Sequence, residues 1–212
     1  MKNLEKRLFI IFIIIYLVGI IGFMVPQLRN IVVPLTPFTI LSSLIVALAF
    51  ENKLKFKSLL TLFIIGISGF FVEYIGVKTG VIFGTYTYGK TLGLGWNGIP
   101  YMIGVNWLAI IYYTNNLSTY FTKNRMIAAC TAATFAILYD YFLEPVAMAY
   151  DFWQWSANEI PIQNYVAWFL LSLCFSLFYQ YQNKPIKNKM ATYIFLIQIT
   201  FFTLLHLYLK FL

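Results

Sequence analysis

Three carboxylic acids stand inside apolar stretches of this 212-residue chain. They are Glu73, in Gly69-Phe-Phe-Val-Glu73-Tyr74, and Asp140 and Glu144, in Tyr139-Asp140-Tyr-Phe-Leu-Glu144-Pro145. An ionisable group at the centre of a membrane helix costs at least about 2.5 to 3.5 kcal/mol, so each one calls for a reason. A spacing of four puts Asp140 and Glu144 on one helical face, about 6 Å apart along the axis. Two close carboxyls in apolar surroundings do not both ionise, because burial and mutual repulsion oppose the second charge. A protonated acid beside an ionised one can add a proton to one atom and remove a proton from water at the next. The alternative for all three acids is pairing with Lys78 or with Tyr hydroxyls, or a place at the interface near a helix end.

Other chemistries are narrowed by what accompanies these acids. His206 is the one histidine of the chain, whereas di-iron and haem sites draw on several histidines or further ligands. It reads as a packed or interfacial residue of the last helix, and no metal site is expected. No phosphate-binding loop is present and no Gly-x-Gly-x-x-Gly follows an expected strand, so nucleotides have no obvious seat and the chemistry is expected to be cofactor-free. Trp96, Trp107, Trp153, Trp155 and Trp168 suit an interfacial belt. Aromatic faces equally stabilise cations, by up to about 2 kcal/mol when desolvated, which a site that protonates an alkene would use.

The elements that must hold these groups follow from composition: 61% of residues are hydrophobic, 20% aromatic and 10% charged, far from a soluble domain. A hydrocarbon core about 30 Å thick needs roughly 20 apolar residues per helical crossing. Apolar runs predict helices over Leu8 to Val25, Val33 to Phe50, Ser58 to Val77, Ile99 to Leu117, Met126 to Ala149, Pro161 to Tyr179 and Met190 to Leu209. The expected fold is therefore an all-α polytopic membrane protein of about seven transmembrane helices, one integral membrane domain over residues 1–212. The first run lacks a small-residue cleavage site before Pro26 and reads as a retained helix. Pro34 and Pro37 make the start of the second the hardest to place.

The net charge of +8 does not point to nucleic acid, because Lys and Arg are scattered between apolar segments and act as topology signals. With the N-terminus inside, Lys2, Lys6, Arg7, Lys53, Lys55, Lys57, Lys123, Arg125, Lys184, Lys187 and Lys189 face inward. Only Arg29, Lys78, Lys90 and Lys210 face outward. That bias predicts an inner-membrane protein with a cytoplasmic N-terminus, an outer C-terminus and all three acids in the outer half. Cys130 and Cys174 fall in apolar runs and read as packing residues.

Two connections differ from the short basic ones. Residues 76–98 hold seven of the twelve glycines, mixed with Phe83, Tyr86, Tyr88 and Trp96. Such backbone near membrane depth is tolerated where protein covers it or where it lines a cavity, so a cap folded into the bundle is expected between helices three and four. Residues 150–160, with Asp151, Trp153, Trp155 and Glu159, form the second, on the same face.

Three separated stretches resemble the CruF-type carotenoid biosynthesis family. They are Glu73-Tyr-Ile-Gly-Val-Lys-Thr-Gly80-Val-Ile-Phe-Gly84-Thr-Tyr-Thr-Tyr88, followed by Gly98-Ile-Pro100 and Trp107; Asp140 to Val146; and Trp153-Gln-Trp155 with Ile160-Pro-Ile-Gln-Asn164-Tyr-Val-Ala-Trp168. The resemblance runs from about residue 70 to 170. It implies a cofactor-independent carotenoid 1,2-hydratase of the kind that acts on lycopene, γ-carotene or a bacterioruberin precursor. Its expected partners are carotenoid, water, membrane lipid and other enzymes of the same pathway. In that reading Asp140, with Glu144 as alternate, protonates the less substituted alkene carbon, and Glu73 deprotonates the attacking water. Tyr86, Tyr88, Asn97, Asn106 and Asn164 are candidates for holding water, each equally suited to capping a helix or loop. Trp107, Trp153, Trp155 and Trp168 join them as substrate-binding candidates. Two other classes stay open: a proton-coupled transporter, with a water path to both faces, and a carotenoid cyclase or isomerase, which shares the first protonation. A retinal photoreceptor fits less well, since its lysine should lie within the last helix and Lys210 lies at the end.

Overall fold

The computed structural model describes residues 3–51, 55–183 and 187–211, so Lys2, Lys53 and Lys184 of the charge pattern lie outside the described residues. The chain is helical, with helices α1 (Asn3–Met24), α2 (Pro26–Val32), α3 (Thr36–Ala49), α4 (Phe56–Thr79), α5 (Tyr101–Ser118), α6 (Arg125–Ala149), α7 (Ile162–Gln182) and α8 (Lys189–Lys210). Among the described residues six rods are long and apolar enough to cross a membrane: α1, the α2–α3 rod Pro26–Ala49, α4, α6, α7 and α8. This is an integral membrane protein.

The seventh expected crossing, α5, exists but is more polar than the others. It sits in the middle, against α3, α4, α6, α7 and α8. Its residues Tyr112 to Ser118 are all buried, Asn115 and Asn116 among them. Over that stretch the helix is enclosed by protein and can carry side chains that a lipid-facing segment cannot. Asn115 donates to Ser176 Oγ at 2.9 Å and accepts from Gln180 Nε2 at 2.9 Å, which ties α5 to α7. Asn188, the N-cap of α8, donates to the Ala47 carbonyl at 2.7 Å and to Tyr112 Oη at 2.7 Å. Tyr112 in turn donates to Glu51 Oε2 at 2.8 Å. These bonds lock α3, α5 and α8 together at the end opposite the three acids.

The second rod begins earlier than its apolar run suggested. Pro26 opens α2 immediately after α1, and Pro34 lies in a single 3₁₀ turn, Val33–Leu35, that leads into α3 with Pro37 in its first turn. Proline lacks an N–H, so each stands where a helix restarts and none is owed a bond. On α6, Ala128, Ala129, Ala132, Ala133 and Ala136 are buried, a seam of small residues that lets neighbouring backbones approach. Both cysteines are free.

The cap carries an arrangement absent from the helix-only expectation. Strand β1 (Tyr86–Tyr88) pairs antiparallel with β4 (Trp153–Trp155), and β2 (Gly95–Trp96) pairs with β3 (Ile99–Pro100). The two unusual connections are thus hydrogen-bonded to each other, extended by Ser156 N–H to Thr85 O at 3.0 Å and Gly89 N–H to Phe152 O at 2.9 Å. Gly80 ends α4 at φ +67° and returns its N–H to Gly76 O at 2.8 Å, a left-handed stop that releases the chain into the cap.

Candidate active site

Strand alternation builds the site. In β1 and β4, residues two apart share a face, so Tyr86, Tyr88, Trp153 and Trp155 point inward while Thr87 and Gln154 face out. Tyr86 stands opposite Trp155 and Tyr88 opposite Trp153, with ring centroids 4.7 Å and 6.0 Å apart. All four present polar hydrogens to carboxylates on the helices below.

Glu73, near the end of α4, is buried and accepts from three neutral donors. Tyr86 Oη and Tyr88 Oη donate to its Oε2, the latter at 2.8 Å, and Trp107 Nε1 donates to Oε1 at 3.0 Å. Burial first, and the Glu73 charge next, hold both tyrosines well above the usual phenol range, so they remain donors. Trp107 reaches Glu73 because α4 carries glycine one turn earlier: a Cβ on Gly69 would lie 2.5 Å from Trp107 Cγ. The indole also stacks on Trp168, centroids 4.2 Å apart.

Glu144 is dressed in the same way. Trp153 Nε1 and Trp155 Nε1 donate to Oε2 at 2.9 and 2.7 Å, and Asn164 Nδ2 donates to Oε1 at 3.0 Å. The same Asn164 amide donates to Asp140 Oδ2 at 2.9 Å, so its two hydrogens bridge the acid pair of α6. Asp140 Oδ1 is buried with no partner among the described residues. A carboxylate offers about four lone-pair sites. Glu73 and Glu144 each use three, and each keeps one at Oε1.

Glu73 and Glu144 face one small chamber of about 20 Å³, walled by Phe83, Ile103, Asn106 and the aromatic residues above. That volume accommodates a single water molecule. Asp140 lies behind Glu144, outside the chamber wall and fully buried. Lys78 does not reach Glu73; its Nζ lies 5.9 Å from the Tyr74 ring centroid. The tyrosine half of the alternative reading does describe Glu73, and those tyrosines belong to the chamber.

The family described as "carotenoid biosynthesis protein" matches residues 35–212, which takes in every residue of this chamber. The chain belongs to that family. Over 108 residues this carotenoid biosynthesis protein is 32% identical to the bisanhydrobacterioruberin hydratase of Haloarcula japonica. The matched stretch covers 47% of this chain and 36% of that relative, little more than a third of its length. No solved structure matches.

Of the nine substrate-binding candidates, the carotenoid biosynthesis protein brings eight to the chamber: Tyr86, Tyr88, Asn106, Trp107, Trp153, Trp155, Asn164 and Trp168. Asn97 is set apart. It is exposed, and with Gly98 it forms the β2–β3 turn at φ +52° and +86°, the Asn-Gly hairpin geometry in which both residues take positive φ. That dipeptide was a legible turn signal. Phe83 and Ile103 were not singled out as candidates, since a lone apolar residue carries no sign of lining a site. Glu51 is a fourth buried acid, in the polar lock at the far end. His206 packs on Tyr141 and Phe142 at 5.5 and 5.6 Å, away from the chamber. Among the described residues no group of three His, Cys, Asp or Glu could hold a metal ion.

Proposed function

We propose that this protein is a cofactor-independent hydratase that adds water across the terminal double bond of an acyclic carotenoid end group. The supporting observation is the pair of glutamates, each held by three neutral donors, across a water-sized chamber walled by aromatic rings. Membership of the carotenoid biosynthesis family supplies the substrate class, and the resemblance to a hydratase supplies the reaction.

Glu144 is the acid in this reading. It shares the Asn164 amide with Asp140, and two carboxylates so placed retain one proton between them. Glu144 gives that proton to the less substituted alkene carbon, forming a C–H bond and leaving a tertiary cation. The faces of Tyr86, Trp153 and Trp155 stabilise the cation. The water oxygen bonds to the cationic carbon, and Glu73 takes one of its protons, yielding a tertiary alcohol. Glu73 then returns the proton to Glu144 through the next water. At rest Asp140 carries the pair's single negative charge, and its repulsion of an ionised Glu144 draws the returning proton back to that site.

A cyclase would share the first step, but room for water beside both acids favours capture by water over capture by a second alkene. The inner membrane and a cytoplasmic N-terminus follow from the charge bias: Lys55, Lys57, Lys123, Arg125, Lys187 and Lys189 lie at the end away from the acids. The test is expression in hosts that make lycopene or γ-carotene, with mass analysis of the extracted pigments. A gain of one water is expected; no gain on either substrate, from folded protein, would refute the hydratase reading.

A further inference from the structure

A cavity of about 320 Å³ lies away from the acids, between α1 and α3 over α8. It exists because α1 and α3 splay apart: they connect through α2 and the 3₁₀ turn, and both lean on α8. The joint is clamped. Arg29 Nε and Tyr150 Oη both donate to Phe23 O, at 2.9 and 2.8 Å, and Tyr208 Oη donates to Met24 O at 3.0 Å. Carbonyls left open at the end of α1 are thereby satisfied from three other parts of the chain, which holds the two helices open. The slot is mostly apolar, and two of its polar members are engaged with each other: Gln198 Nε2 donates to Tyr16 Oη at 2.8 Å, and Tyr16 Oη lies 3.2 Å from Ser43 Oγ.

Shared walls connect this slot to the acids. Ile40, Tyr139, Phe152 and Phe202 line the slot and also a neck of about 20 Å³ beyond it. Ile103, Asn106 and Trp153 line that neck and also the acid chamber. Two other lipid-facing grooves of similar size, about 310 Å³ between α4 and α5 and about 280 Å³ between α1 and α8, share no wall with neck or chamber. We infer that the slot between α1 and α3 takes the polyene chain of the substrate sideways from the bilayer, and that the neck passes its end to Glu73 and Glu144. This rests on the hydratase reading for its occupant. A slot of this volume falls within the range of small-ligand cavities, whereas the chamber fits only water, so Phe152 and its neck neighbours must move as the end group advances.

The test uses the full chain in phospholipid nanodiscs, with Cys130 and Cys174 replaced by Ala, and an acyclic carotenoid. Ile40→Trp fills the slot, and Val105→Trp fills the α4–α5 groove. Bound carotenoid and hydrated product should both fall by about tenfold or more in Ile40→Trp, the factor that overpacking carries, and should hold in Val105→Trp. Should Ile40→Trp fail to fold, the milder Ile40→Cys answers the same question: carotenoid should protect it, and not Val105→Cys, from a lipid-soluble maleimide. Equal protection by phospholipid alone would make the slot a lipid site and overturn the inference. So would loss of product in Val105→Trp with Ile40→Trp unaffected, while leaving the hydratase reading intact. Carotenoid bound in the slot but never hydrated would do the reverse, and a protein that neither binds nor hydrates would remove both.

Discussion

Asn164 stands in the first turn of α7 and serves two acids with one amide. Replacing it by Leu leaves Asp140 with no donor and takes one from Glu144, and an unsatisfied buried polar group costs about 1 to 3 kcal/mol. Asn164→Leu should therefore lower the thermal midpoint in detergent and reduce turnover together. An unchanged midpoint would mean that the bridge is not needed to hold the pair. Its partners were visible as candidates, because a carboxyl in an apolar run is costly wherever it falls. What each carboxyl touches was not visible, since Tyr86 and Trp155 reach Glu73 and Glu144 across gaps of 13 and 11 residues through a turn. The proposed mechanism gives Glu144 the donor's part that the sequence reading gives Asp140, because Asp140 does not line the chamber.

At the level of elements, the β1–β4 pair sets the four chamber aromatics over the acids. Thr87 pairs with Gln154 at its centre, and proline there cannot supply a ladder N–H. Thr87→Pro should abolish product while the helical content measured by circular dichroism stays unchanged; retained activity would mean that the cap is dispensable. Gly69→Val places side-chain atoms where Trp107 lies, and overpacking of that kind costs about 1 to 3 kcal/mol. It should lower stability and weaken Trp107 fluorescence coupling to the site, read as a shifted emission maximum. The helices were legible because apolar runs of membrane length leave few other structures. The strand pair was not: three residues on each side, Tyr86-Thr-Tyr88 and Trp153-Gln-Trp155, are too short to signal strand alone, and their pairing spans some 65 positions. The start of the second rod at Pro26 is not legible, because Pro34 and Pro37 within its apolar run carry the same helix-opening signal.

Across the whole molecule, α5 explains why hydropathy alone finds six rods: the helix most enclosed by protein is the one freest to be polar. The same placement puts a hydrogen-bonded lock at one end and the acids at the other. In the proposed orientation Leu94, exposed in the cap, faces outward, and Phe121, exposed in the α5–α6 connection, faces the cytoplasm. With native cysteines removed, a membrane-impermeant maleimide should label Leu94→Cys in intact cells and Phe121→Cys only after permeabilisation; the reverse pattern would invert the topology. The central claim, that two glutamates add water to a carotenoid end group, is tested most directly by supplying purified protein with an acyclic carotenoid in heavy-oxygen water. The native chain should yield a tertiary alcohol carrying the label, and Glu73→Gln and Glu144→Gln should each lower the rate by about 10² to 10⁴. Labelled product at an undiminished rate from either variant would contradict the account.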